Sequence, residues 1–367
     1  MPPMNRTRQK RNPAQRVAAL ALFFAAGAGA QTPPPAAAPS PTIPILEDQI
    51  SGTAKLLQAV SAVDSSVAWA SGHGATWTRT SDGGRSWTAG VVPGDTLLEF
   101  RDVHARDARE AWLLAAGPGD RSRIYHTTTG GSVWQLQWTN DEPAGFYDCM
   151  DFWDERRGVV FGDAVEGRLR VLLTDDGGRT WARVPNERLP AALPGEGGFA
   201  ASGTCLIAGP EGRAWIATGN GTRSRVLQTS DYGRSWTATD SPVAAAEGAG
   251  LTSISMVDAH VGTAFGGDLS VNDARADEVA RTTDGRRSWI LLPRLSLLGP
   301  VFGGAHVPGT SGAALVAVGP GGLDVSVDGG TSWKTLDPRA WWGIGSVGPE
   351  ATWIAGPNGR LARIRIR

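Results

Sequence analysis

One motif, repeated six times without a gap, limits what this chain can fold into more than any other feature. The copies are residues 80–87 (TSDGGRSW), 127–134 (TTTGGSVW), 174–181 (TDDGGRTW), 229–236 (TSDYGRSW), 282–289 (TTDGRRSW) and 326–333 (SVDGGTSW). Their closing tryptophans are spaced 47, 47, 55, 53 and 44 residues apart. A period of that size matches one four-stranded propeller blade. Each copy follows a short strand-like run and leads into another, as in Val171-Leu172-Leu173 before the third box and Ala182-Arg183-Val184 after it. The motif therefore reads as a hairpin turn between the third and fourth strands of a blade.

The residue types explain the turn. The carboxylates of Asp82, Asp176, Asp231, Asp284 and Asp328 can accept amides of their own turn. Glycine permits a positive φ there, and the tryptophan buries apolar surface beneath. These aspartates are assigned a structural role. Thr129 replaces Asp in the second box and Arg286 replaces Gly in the fifth, so those two turns are expected to be looser or differently capped.

Before each box lies a run ending in Gly, such as 67–72 and 158–162, and before that an inner-strand candidate. These candidates are 56–61, 99–104, 146–152, 200–207, 251–257 and 301–306. No segment reads as an amphipathic helix. After the sixth box only three strand-like runs remain, 341–347, 351–356 and 359–366. Residues 44–51 have no blade of their own, so they are expected to supply the missing fourth strand and leave no open sheet edge. The fold class is thus all-β, a seven-bladed β-propeller of Asp-box hairpins closed by an N-terminal strand. Six blades with a tail is the alternative.

The chain ends set the compartment. Residues 1–30 carry Arg6, Arg8, Lys10, Arg11 and Arg16, then an apolar run finishing at Ala28-Gly29-Ala30. This is the pattern of a secretory signal peptide, with an uncleaved anchor as the other reading. Residues 31–44 are rich in Pro and Ala and read as a stiff linker, leaving 45–367 for the propeller. A periplasmic or secreted location follows as an expectation. Loss of the five positive charges of the leader takes the net charge from −1 to −6, which argues against nucleic acid as a partner. Export permits one bridge between the only cysteines, Cys149 and Cys205, placed on inner strands of neighbouring blades; two buried thiols is the other reading. No cofactor is implied, and with no C-x-x-C and five scattered histidines no metal site is expected. A closed ring needs no second copy for stability, so a monomer is expected.

In this topology the face opposite the boxes carries the loops that enter first strands and leave second strands. Residues placed there include Asp102, Tyr147, Asp148, Glu196, Ser202, Thr204 and Ser253 on the way in, and His73, Asp120, Arg123, Asp163, Arg168, Asn220, Arg225 and Asp268 on the way out. Asp148 and Asp163 fall in one blade, and paired carboxylates drive one pKa upward, as a general acid requires. Arg123, Arg168 and Arg225 occupy matching points of three consecutive blades. Arginine clusters recognise carboxylates bidentately, so an acidic ligand or peptide is a reasonable guest. Asp148, Asp163 and Glu196 are the catalytic candidates. The binding candidates are these three with Asp102, Arg123, Arg168, Ser202, Arg225 and Asp268. The opposite reading is that these charges pair with one another and with buried backbone.

The boxes TSDGGRSW and TDDGGRTW resemble the bacterial neuraminidase (Asp-box) repeat of sialidases, sortilin-like receptors and the photosystem II stability/assembly factor family. Flanking sequence resembles the last most, through Glu99-Phe100-Arg101-Asp102, Ser122-Arg123-Ile124-Tyr125, Asp151-Phe152-Trp153, Phe161-Gly162-Asp163, residues 199–204 (FAASGT) and Gly266-Gly267-Asp268. That resemblance spans 45–367. It implies an exported seven-bladed propeller that binds protein partners while a membrane complex assembles. Bacterial relatives are often labelled glycosyl hydrolase-like on the repeat alone, and a glycosidase or glycan-binding propeller is the competing expectation. Sialidase chemistry fits poorly, because Arg123-Ile124-Tyr125 lacks the proline and the preceding aromatic of that family's arginine motif.

Overall fold

A computed structural model describes residues 44–285 and 287–366. The expected leader, the linker up to residue 43 and the Arg286 substitution therefore lie outside the described residues. Seven four-stranded antiparallel sheets are present among the described residues. Six are built in simple order from consecutive strands, for example Leu57–Ala62, Ala68–Gly72, Thr76–Thr80 and Thr88–Val91 in blade one. The seventh joins Gly343–Gly348, Ala351–Ala355 and Arg360–Arg365 to the N-terminal strand Ile45–Ile50, which pairs antiparallel with the last of them from Ile45↔Arg365 to Ile50↔Arg360. The ring is closed by the start of the chain, as the strand count anticipates. No helix among the described residues is long and apolar enough to cross a membrane.

Second strands are buried throughout, because both faces of each are covered by adjacent blades; Trp69, Trp112, Trp215 and Trp353 fill the spaces between sheets. Fourth strands such as Thr88–Val91 and Ile290–Leu291 are short and largely exposed, which blunts the outer edges. Innermost strands face a different demand, since one edge of each looks toward the next blade with no strand to pair. Side-chain oxygens of one blade meet amides of the next: Ser61 Oγ accepts from Ala105 (3.0 Å), Asp102 Oδ2 from Met150 (2.6 Å), Asp151 Oδ2 from Ala208 (2.7 Å), Ser253 Oγ from Gly304 (3.0 Å) and Ser255 Oγ from His306 (2.9 Å).

The boxes are hydrogen-bonded turns. Thr80 Oγ1 donates to Asp82 Oδ1 (2.9 Å) and accepts the Gly84 amide (2.9 Å), while Asp82 also accepts the Ser86 amide (2.9 Å) and hydroxyl. Asp176, Asp231 and Asp328 repeat the pattern. Gly83 and Gly84 both have positive φ, +77° and +84°, so the turn depends on residues without a Cβ penalty. In the second box Thr129 Oγ1 takes over one carboxylate arm and accepts the Val133 amide (2.9 Å). In the fifth the Thr282 hydroxyl accepts the Gly285 amide (3.1 Å), one residue earlier than elsewhere, and Asp284 accepts the Arg287 and Ser288 amides (3.0 and 3.1 Å). The second box is therefore differently capped.

One expected inner strand is shorter than anticipated. Within 200–207 only the end is strand, as part of Leu206–Ala208. Residues 199–204 instead leave the blade and enter the channel.

Replacing Asp231 by Ala removes an amide cap and two hydroxyl bonds, and is expected to lower unfolding free energy by about 1–2 kcal/mol in urea titrations. Thr129→Asp restores the missing arm and should raise it by about 0.5–1 kcal/mol. The Ser86 hydroxyl and amide hold the Asp82 carboxyl down at about 2. Stability from such depressed carboxylates is complete above their ordinary range and is lost as pH falls through the folded value, so the boxes are acid-labile below about pH 4.

Candidate functional site

The face opposite the boxes is organised around the segment that leaves blade three. Thr204 Oγ1 donates to Ser253 Oγ of blade five (2.7 Å), and Ser202 Oγ donates to the Phe302 carbonyl before blade six (2.7 Å). A Cβ on Gly203 would lie 2.3 Å from Asp102 Oδ1 of blade two and 3.3 Å from Ala59 Cβ of blade one. A stretch that touches blades on opposite sides of the ring crosses the axis. Residues 199–204 therefore plug the channel, with Phe199 and Ala201 packed on Phe302, Leu269 and Trp342 at its mouth.

The base of the plug sits on two carboxyl groups. Asp163 Oδ1 accepts the Gly198 amide (3.0 Å), and the Ala200 amide faces Asp148. The glycines are needed for this approach: a Cβ on Gly197 would fall 1.9 Å from Asp163 Oδ1, and one on Gly198 would fall 2.9 Å from Asp148 Oδ2. Gly197 also exchanges both backbone hydrogen bonds with Gly219 (3.1 and 2.9 Å).

Asp148 is 1% exposed, and its Oδ2 is enclosed with no donor facing it. A proton placed there donates to Asp163 and removes the deficit. Burial, then the neighbouring Asp163 charge, push the Asp148 pKa well above its ordinary value, against an opposing pull from Arg101. Burial pushes Asp163 up to about 6, opposed by the Gly198 amide and the bond from Asp148. Burial thus biases both carboxyls toward their protonated forms. Asp102, also buried, is raised by burial, although the Met150 and Val103 amides act against it.

Several expected ligand groups turn out to be committed elsewhere. Glu196 and Arg225 are paired with each other: Arg225 Nε donates to Glu196 Oε1 (2.8 Å) and Nη2 donates to Oε2. Glu196 further accepts the Thr218 hydroxyl (2.8 Å) and the Leu193 amide (2.9 Å), and Arg225 reaches the Ala191 carbonyl (3.0 Å). The pair is buried, which withdraws Glu196 from the role of a free catalytic carboxylate. Asp268 is a half-buried local cap on Ser270. Ser202 is buried in the plug. Asn220 holds the Gly248 amide (2.9 Å).

The three arginines do not converge. They begin the third strands Arg123–Thr127, Arg168–Thr174 and Arg225–Thr229, which lie outward from the axis. Arg123 binds Asp120, Arg225 is buried on Glu196, and Arg168 is exposed in a recess of 250 Å³ with Arg170 and Arg183. A charge that the sequence reading passed over is Arg101, which faces Asp148 and binds Glu99 through Nη2 (2.6 Å), with His73 3.6 Å from the same oxygen. Cys149 and Cys205 form a disulfide between the inner strand of blade three and the end of the plug. No group of three or more metal-binding side chains occurs among the described residues.

These features define a seven-bladed Asp-box propeller whose channel is plugged from the face opposite the boxes. No protein-family model and no curated protein sequence matches the chain. Solved structures do match in fold. YCF48 bound to D1 peptide is 18% identical, with a TM-score of 0.62 over 87% of this chain and 96% of that one. YCF48 from Cyanidioschyzon merolae is 16% identical, with a TM-score of 0.61 over 87% and 98%. The GH74 xyloglucanase from Xanthomonas campestris is 16% identical with a TM-score of 0.60, and here 87% of this chain covers 53% of the other.

Glu196→Ala should cost about 3–5 kcal/mol in chemical denaturation, since Arg225 is left buried and uncompensated. Adding Arg225→Met should recover most of that loss.

Proposed function

We propose that this chain is an exported propeller that binds a protein partner on its plugged face and assists assembly or stability of an envelope or membrane complex. The observation that carries the reading is the plug itself. It fills the channel, buries Asp148 and half-covers Asp163, while Glu196 is taken by Arg225. A glycosidase needs an acid and a base or nucleophile flanking an accessible bond. Here the three candidate carboxyls serve the fold, and the exposed chemistry of the face is Arg168, the Glu99–Arg101–His73 group and the Trp342 edge.

The sequence resemblance to the photosystem II stability/assembly factor family points the same way. So does a structural neighbour solved with a peptide bound. Export rests on the leader pattern of residues 1–30. An acidic partner segment suits Arg168, an exposed guanidinium on the plugged face.

The test is retention of a membrane protein from envelope extract by the immobilised mature chain. Arg168→Glu, on the plugged face, should weaken retention at least about tenfold, a loss of about 1.4 kcal/mol. Arg234→Glu, on a box turn, should leave it unchanged. Release of sugar from a glycan panel, abolished by Asp163→Asn, would overturn the reading.

A further inference from the structure

Residues 197–204 form a loop fastened at both ends. On one side is the buried Glu196–Arg225 pair and on the other the Cys149–Cys205 disulfide. Between these anchors, the plug makes its polar contacts with blade three through the Gly198 and Ala200 amides, and both go to one carboxyl pair. Glycine backbone closes over the pair, Asp148 is buried with an acceptor atom that has nothing to accept, and Asp163 is half-buried beside it.

We infer that the base of the plug is a proton latch: one proton shared by Asp148 and Asp163 holds residues 197–201 against blade three, and losing that proton frees them, while Ser202 and Thr204 stay fastened to blades six and five.

The charged surroundings fix the direction. From blade two, Arg101 faces Asp148 and favours its ionised form, but it is already neutralised by Glu99. Asp102 on the same strand lies against Gly203 and binds the Met150 amide, with Asp151 adding like charge. From blade four, Glu196 is cancelled by Arg225. No positive group is therefore free to compensate a second negative charge. With one proton, Asp148 donates to Asp163 and each carboxyl still accepts a plug amide. With none, two carboxylates face each other across the glycines and repel.

Both carboxyls sit above their ordinary values in the folded chain. Their contribution to stability is thus full in acid and is lost as pH rises through the folded values, the reverse of the box carboxylates. Asp163 ionises first, near 6, and leaves the one-proton latch intact; release follows at higher pH, when Asp148 gives up its proton. Freed residues uncover Phe302 and Trp342 at the channel mouth, since Phe199 and Ala201 are what pack on them.

Amide hydrogen exchange of the whole mature protein tests this, comparing pH 6 with pH 9 after correction for the chemical exchange rate. The expected result is at least about a tenfold loss of protection, one pK unit's worth, confined to peptides covering 197–201. Asp148→Asn keeps an N–H donor toward Asp163 and should abolish that step. Asp163→Asn, which removes the facing charge, should also abolish it and serves if the first variant does not fold. Equal pH profiles in wild type and either variant, or loss of protection shared by plug and strands alike, would overturn the latch.

Discussion

The whole ring depends on how the innermost strands satisfy the edge that faces the next blade. A strand there has backbone amides pointing at a neighbour that runs past rather than beside it, and an unpaired buried amide costs about 1–3 kcal/mol. Serine and aspartate side chains on the preceding blade supply the missing acceptors at Ser61, Asp102, Asp151, Ser253 and Ser255. The polar residues of the channel wall are in this sense backbone in function. This is why a wall rich in Asp, Ser and Thr need not be a binding site, and why Asp102 could be read from sequence as a ligand yet serves as a strand partner.

Blade number and closure were legible because both follow from local chemistry. A Thr-x-Asp-x-Gly turn binds its own backbone within four residues, so six copies of the motif, three of them with that full pattern, announce six hairpins. The position of Ile45–Ile50 follows from counting strands. The plug was not legible, because residues 199–204 hold β-like composition while their partners lie far away in the chain, from Ser253, 49 residues from Thr204, to Phe302, 100 residues from Ser202. Gly197, Gly198 and Gly203 were visible as a cluster, but what they make room for is three carboxyls from two other blades. The arginines illustrate the converse. Equivalent positions in successive blades are rotated about the axis, and on third strands that rotation carries them apart. Matching register is therefore not proximity.

The molecule holds two populations of aspartate with opposite electrostatic environments. Box carboxylates are charged and surrounded by donors, and they lose their bonds on protonation. Channel carboxyls Asp102 and Asp148 are buried, and burial favours their protonated forms. The first group braces the outer turns, and the second sits where the one irregular segment meets the axis.

The closing strand also sets the order in which the fold can be completed. Glu47 and its partner Arg365 are separated by 318 residues, so the first strand to leave the ribosome waits for the last. At ~5–20 residues per second that is roughly 15 to 60 s. Through that interval Arg360–Arg365 does not yet exist, and Ile45–Ile50 is an unpaired edge with Ile50 almost wholly exposed even in the finished ring. Blades one to six can pair their own strands locally, but the circle closes only when the two ends of the propeller meet.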